Sequence, residues 1–173
     1  VLRLEPCVRK QGLTGASVFY DCLSIFPERL TLAFIKSAVA CKASVANYAR
    51  VEEFLINDKN NVTGVVASDL LNNKTYKIYG AVTINCAGPW ADIILGLAQA
   101  RTSESRTLRR SEGIHVITEK KMLSGKHVIG SMTPEGRHIF LIPWREHTLI
   151  GTTDKAYIGD PDEYRVTKQS IME

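Results

Sequence analysis

The sequence has no apolar run long enough to cross a bilayer, no CxxC pair, no GxGxxG fingerprint and no methionine at its first position. The first of these absences excludes a membrane-spanning segment within the chain, and Val1 to Arg9 has neither the apolar stretch nor the small-residue cleavage site of a signal peptide. Cys7, Cys22, Cys41 and Cys86 are far apart and have no nearby histidine to complete a zinc site. They read as reduced thiols of a cytosolic protein. Cys41 and Cys86 sit in apolar sequence and are expected as small buried hydrophobes rather than catalytic thiols. Without the glycine fingerprint, the chain cannot hold a dinucleotide in the usual way by itself. His127, His138 and His147 fall at no metal-ligand spacing, so no metal site is expected. The net charge of +4 comes from scattered Lys and Arg, and the dense cluster Arg106 to Arg110 lacks interleaved aromatics, which argues against nucleic-acid binding. There is no internal repeat and no low-complexity stretch.

What is there is enough for a core: 173 residues, 45% of them hydrophobic, suit one domain or an interleaved part of two. The start at Val1 and the stop at Glu173, inside what reads as the first turns of a helix from Thr167, are taken as cuts in a longer chain. Leu30, Ala33, Phe34, Ser37, Ala38 and Cys41 recur at helical spacing after Pro27, predicting a helix over 27–42. Residues 44–51 read as a short strand following it, as in an α-to-β step of a parallel sheet. Three further runs, 51–56, 62–71 and 75–81, are separated by Asn- and Asp-rich stretches and predict a β-meander. Residues 81–86 read as a buried strand, broken at Ala87-Gly88-Pro89 and followed by a helix carrying Trp90, Ile93, Ile94, Leu97 and Ala98. Beyond Gln99 the texture is that of hairpins, with strands expected at 113–117, 127–130, 137–143 and 147–151. The composition shift near 99–105 marks a domain crossing, and Val1 to Phe26 is expected to return to the second sheet.

Three segments could carry chemistry. At Asn85-Cys86-Ala87-Gly88-Pro89-Trp90 a strand ends in small residues and a helix begins, which lets backbone approach a bound molecule with the helix start directed at it. The same six residues also make an ordinary strand-to-helix turn. Gly151-Thr152-Thr153-Asp154 closes a strand with two hydroxyls and a carboxylate; either these line a polar pocket or Asp154 bonds its own backbone in a turn. His115, between Ile114 and Val116, points to the face opposite its apolar neighbours, where it could take a proton from a substrate hydroxyl or serve as a structural histidine.

Taken together, Ile84 to Trp90, Glu112-Gly113-Ile114-His115-Val116, Arg137 to Trp144 and Leu149 to Asp154 resemble, in order and spacing, the FAD-dependent glycerol-3-phosphate dehydrogenases. The resemblance runs from about Phe19 to Pro161, and the Ile-Pro-Trp strand followed by Gly-Thr-Thr-Asp is its most specific part. It implies an α/β fold, mixed with α+β: part of a FAD-binding Rossmann-like domain with its β-meander (27–99), interleaved with an antiparallel or mixed-sheet substrate domain (1–26 and 100–173). By the same resemblance Val51 meets the adenine side of FAD through its backbone, and Ala87, Gly88 and Trp90 lie along the cofactor. His115 would be the catalytic proton acceptor or its orienter, and Thr152, Thr153 and Asp154 would be near the substrate.

The implied reaction is oxidation of glycerol 3-phosphate to dihydroxyacetone phosphate, with hydride passing to FAD and electrons onward to quinone. The resemblance also implies a cytoplasmic enzyme, peripheral on the cytoplasmic membrane through segments outside this chain; nothing in the sequence fixes an oligomeric state. There are two departures. Cys86 and Ala87 stand where the family usually has Ala and Thr, so only backbone contacts carry over there. The family's Gly-rich phosphate loop, its late Gly-Gly-Lys segment and its substrate-phosphate arginines are absent, so the chain alone is expected to bind FAD weakly or not at all and to be inactive. Two alternatives remain at this stage. One is an amino-acid oxidase type of flavoprotein on the same fold, which would use a carboxylate-binding Arg. The other is a noncatalytic α/β scaffold.

Overall fold

The structure is a computed structural model and describes residues 1–98 and 108–172. The chain divides into two compact units, one of residues 34–110 with 160–162, the other of residues 1–33, 111–159 and 163–173. The crossing expected at 99–105 lies outside the described residues.

Helix α1 (Pro27–Ala40) starts with Pro27, whose missing N–H costs nothing at a helix start, and carries Glu28 in its first turn. Lys42, at φ 69°, closes it: the Ala43 N–H returns to the Ala38 carbonyl at 3.0 Å, a left-handed cap that ends the helix short of the expected Lys42. The predicted strand at 44–51 does not form as read. Tyr48, at φ 54°, breaks the extended path, and strand β1 begins only at Ala49.

Strands β1 (Ala49–Ile56), β2 (Val62–Asp69) and β3 (Lys74–Tyr79) make the predicted meander in the order β1-β2-β3, antiparallel throughout. The Asn-rich turns work as read. The Asn57 side-chain oxygen accepts the N–H groups of Lys59 and Asn61, and that of Asn72 accepts the N–H of Lys74. Asn60 and Asn73 take the left-handed positions at φ 62° and 56°. The register slips between Val51 and Glu53, leaving Glu52 as an extra residue. This bulge sets both Val51, opposite Ala67, and Phe54, opposite Val65, on one face; an unbroken strand would send them to opposite faces.

The buried strand expected at 81–86 is absent. That segment makes no ladder among the described residues, and Val82 and Ile84 are 77% and 78% exposed. Its apolar character suits a strand with neighbours on both sides, and the described residues supply none. A 3₁₀ turn (Gly88–Trp90) and helix α2 (Ala91–Leu97) follow it where expected. Cys41 and Cys86, expected to be buried, are exposed, as are Cys7 and Cys22. Cys41 follows directly on helix α1, which itself buries none of its residues.

In the other unit, β5 (His115–Ile117), β6 (Ile129–Met132), β7 (His138–Trp144) and β8 (His147–Gly151) form the predicted antiparallel sheet in the order β5-β8-β7-β6. Short strands β4 (Arg110–Glu112) and β9 (Lys155–Tyr157) pair separately, and helix α3 (Lys168–Met172) stands where the C-terminal helix was read. Residues 1–26 contribute no strand. They attach through side chains: Glu5, 1% exposed, accepts the Ser124 N–H and lies 3.4 Å from His127 Nδ1. The Trp144 indole N–H donates to the Ile25 carbonyl, and the Arg145 guanidinium stacks on Phe26 and Trp144. No described helix is long and apolar enough to cross a membrane.

Thr148 is fully buried, and its hydroxyl accepts the Met122 N–H at 2.9 Å. Replacing Thr148 by Val keeps the shape and removes the acceptor, leaving a peptide N–H unsatisfied. The expected loss is about 1–3 kcal/mol, read as a lower urea midpoint at unchanged slope.

Candidate functional site

The bulged face of the meander and the turn that follows it enclose a groove of about 330 Å³. One wall is Ala49, Val51, Phe54 and Val65, brought to a single face by the Glu52 bulge; the other is residues 83–87 with Ile94 of α2. Val51 and Ala87, 36 positions apart in sequence, therefore line one cavity. Gly88 and Trp90 sit just beyond its edge, in the 3₁₀ turn. Gly88 takes φ +53° with nothing within 4 Å of a hypothetical Cβ, so the turn is open on that side.

Helix α2 has seven residues and places Ile94 in the groove, and Asp92 in its first turn accepts the N–H groups of Ile93 and Leu108. The groove offers close backbone approach and apolar walls, suiting a flat ring and its sugar. Arg50, at its rim, pairs with Glu52 at 2.8 Å. That hydrogen bond is the chief reason the Glu52 carboxyl is held below its ordinary value. Any stabilisation from the exposed pair is therefore present at neutral pH and lost as the pH falls through that lowered value.

In the sheet of β5 to β8, His115 pairs with Gly151 and Gly151 with Phe140, in one row across the sheet. The His115 ring covers the Gly151 Cα so closely that an added Cβ would lie 2.9 Å from its Cδ2. His115 thus points away from the face that carries Ile114, Val116 and Ile150, which lines a second groove of about 170 Å³. Thr152 and Thr153 border that second groove, on the side His115 avoids, together with Arg137. Their hydroxyls are engaged in the strand junction: Thr153 Oγ1 accepts the Ile114 N–H at 3.0 Å, and Thr152 Oγ1 donates to the Thr153 carbonyl at 2.8 Å. Asp154 is exposed and borders neither groove. The structure brings Val51 and Ala87 together, and Thr152 with Thr153; it does not bring His115 to the threonines' groove.

Sequence reasoning missed Phe54, Val65 and Arg137 as lining residues. No local signal marks the bulge that turns Phe54 inward, and Arg137 joins its groove only through strand pairing.

The whole chain, residues 1–173, matches the family described as FAD dependent oxidoreductase. The chain belongs to that family. It is 32% identical over 173 residues to an alpha-glycerophosphate oxidase of Streptococcus pneumoniae, covering 99% of this chain and 28% of the relative. It is also 32% identical over 168 residues to an aerobic glycerol-3-phosphate dehydrogenase of Bacillus subtilis, covering 97% of this chain and 30% of the relative. Among solved structures it resembles the glycerol-3-phosphate dehydrogenase from Bacillus halodurans complexed with FAD. The TM-score is 0.85 at 34% identity, over 99% of this chain and 34% of that one. The chain thus spans about a third or less of these relatives' length, and the family's mixed helix-and-sheet FAD-binding fold is the one expected from the sequence.

Proposed function

We propose that this chain is part of a flavoenzyme that oxidises glycerol 3-phosphate to dihydroxyacetone phosphate and delivers the electrons to quinone. The observation that carries the reading is the groove shared by Val51 and Ala87, in a chain that superposes closely on an FAD complex. Ala49, Val51, Phe54 and Val65 would hold the adenine end of FAD, with the Cys86 to Gly88 backbone alongside. FAD supplies the two-electron acceptor for the hydride on the secondary carbon. His115 takes the hydroxyl proton, from the sheet face it shares with Gly151 and Phe140. Thr153 acts by fixing the backbone of Ile114, the residue before His115.

The four free thiols fit a reducing compartment, and the reading puts the enzyme in the cytoplasm, with any membrane contact made outside this chain. Anaerobic addition of glycerol 3-phosphate to the flavoprotein that carries this chain should bleach the oxidised flavin absorbance within seconds, while amino acids leave it unchanged. The reverse result would move the protein to the amino-acid oxidases. In air, quinone reduction without stoichiometric peroxide is expected; peroxide formation at the rate of turnover would assign oxygen as acceptor.

A further inference from the structure

The turn from Asn85 to Ala91 borders the groove, and two side chains distant in sequence hold it from outside. Arg110 donates through Nε to the Pro89 carbonyl at 2.7 Å and through Nη2 to the Asp92 carboxylate. The Arg110 and Asp92 side chains are only 15% and 14% exposed, so this ion pair is largely shielded from water and screened less than a surface pair. Asp162 accepts the Trp90 indole N–H at 3.1 Å, and Asp162 is itself fixed by its N–H, which donates to Asp160 Oδ1 at 2.9 Å. Inside the turn, Asn85 accepts the Ala87 N–H and donates to the Ala91 carbonyl, closing the loop on itself. Residues 160–162 group with the 34–110 unit although both their flanks belong to the other, and the Asp162 to Trp90 bond lies within that unit.

We infer that Arg110 and Asp162 are positioning residues for the cofactor: they fix the Pro89 carbonyl and the Trp90 ring, and so the shape of the Cys86 to Gly88 backbone against which FAD lies. The inference rests on the FAD reading above. Neither residue borders the groove, so each acts through the turn. The guanidinium holds two acceptors, a carbonyl and a carboxylate, at fixed angles, and a lysine ammonium cannot reproduce both contacts. The Trp90 indole N–H needs one acceptor at Asp162, which an amide oxygen also provides.

The test is the FAD dissociation constant of the flavoprotein that carries this chain, measured by quenching of flavin fluorescence on titrating apoprotein. Arg110→Met should weaken binding at least about tenfold, the loss expected for one charge-assisted hydrogen bond, and Arg110→Lys should fall between it and wild type. Asp162→Ala should weaken binding about threefold or more, with Asp162→Asn recovering most of the loss. That recovery separates positioning from general loosening, because a merely structural role would follow the melting temperature rather than the hydrogen-bond acceptor.

Wild-type affinity in folded Arg110→Met, or equal losses in Asp162→Ala and Asp162→Asn, would overturn the inference. If Arg110→Met does not fold, the Asp162 pair decides. A wild-type protein that takes up no FAD would remove the cofactor reading and this inference with it. Variants that match a flavin-loaded wild type would remove only the inference.

Discussion

In the flavoprotein that carries this chain, His115→Gln should slow flavin reduction by glycerol 3-phosphate by about 10²- to 10⁴-fold at neutral pH, the usual contribution of one positioned acid-base group. Glutamine is close to histidine in size, so it can still fill the space beside Gly151, where a Cβ would lie 2.9 Å from the His115 Cδ2. The substitution therefore removes the proposed proton acceptor while keeping the packing of the β5–β8 edge. Stopped-flow absorbance under anaerobic conditions reads the step directly, and FAD content measured on the same samples reports whether the cofactor is still held. An unchanged rate from pH 6 to 8 would take His115 out of the chemistry and leave it as a packing residue on the sheet. A large loss of bound FAD would instead assign it a structural part. The neighbouring threonines make a useful contrast: Thr153→Val should act mainly on stability, because the Thr153 hydroxyl is committed to the Ile114 N–H.

The second large effect is on folding. Gly64 lies in β2, the middle strand of the meander, between Leu55 of β1 and Tyr79 of β3. Its φ is +159°, and a Cβ there would stand 2.1 Å from the Ile78 carbonyl oxygen and 2.9 Å from the Tyr79 Cα. Both obstacles are backbone, so neither can swing aside as a side chain would; β3 must leave the ladder or β2 must distort. Gly64→Ala should therefore cost about 3 kcal/mol or more, toward the upper end for single substitutions, seen as a lower urea midpoint. Gly15→Ala is the control: nothing lies within 4 Å of its hypothetical Cβ, and the expected change is within about 0.5 kcal/mol. Because Val65 and Phe54 form the groove wall next to Gly64, the same substitution should weaken FAD binding. A Gly64→Ala protein with wild-type stability would mean that the meander is not paired in this register.

Much of this architecture was legible because its signals are local. The helix from Pro27 shows in its apolar spacing, and the Asn and Asp turns show in side chains that bond backbone two or four residues on. The hairpin strands after residue 113 show in short β-branched and aromatic runs. The misreadings at 44–51 and 81–86 share a cause. Both were read as strands from apolar and β-branched content, yet a strand exists only where a neighbour takes its hydrogen bonds, and composition does not say whether one is there. Cys41 and Cys86 were misplaced for the same reason, since apolar neighbours in sequence do not guarantee cover in space.

The candidate site divides along the same line. The sequence by itself determined the family motifs, the face to which His115 points and the turn at Ala87-Gly88, because alternation along a strand and small residues at a turn are properties of a few consecutive positions. Only the tertiary structure decided that Val51 and Ala87 line one groove, that Phe54 joins them, and that Arg110 and Asp162 hold the turn. It also decided that His115 and the threonine pair serve different faces of one sheet. A single extra residue at Glu52 inverts which side chains face inward beyond it, and the Trp90 to Asp162 bond joins residues 72 positions apart. Both follow from which strands and turns come to lie beside each other, and that is set by the packing of the whole unit.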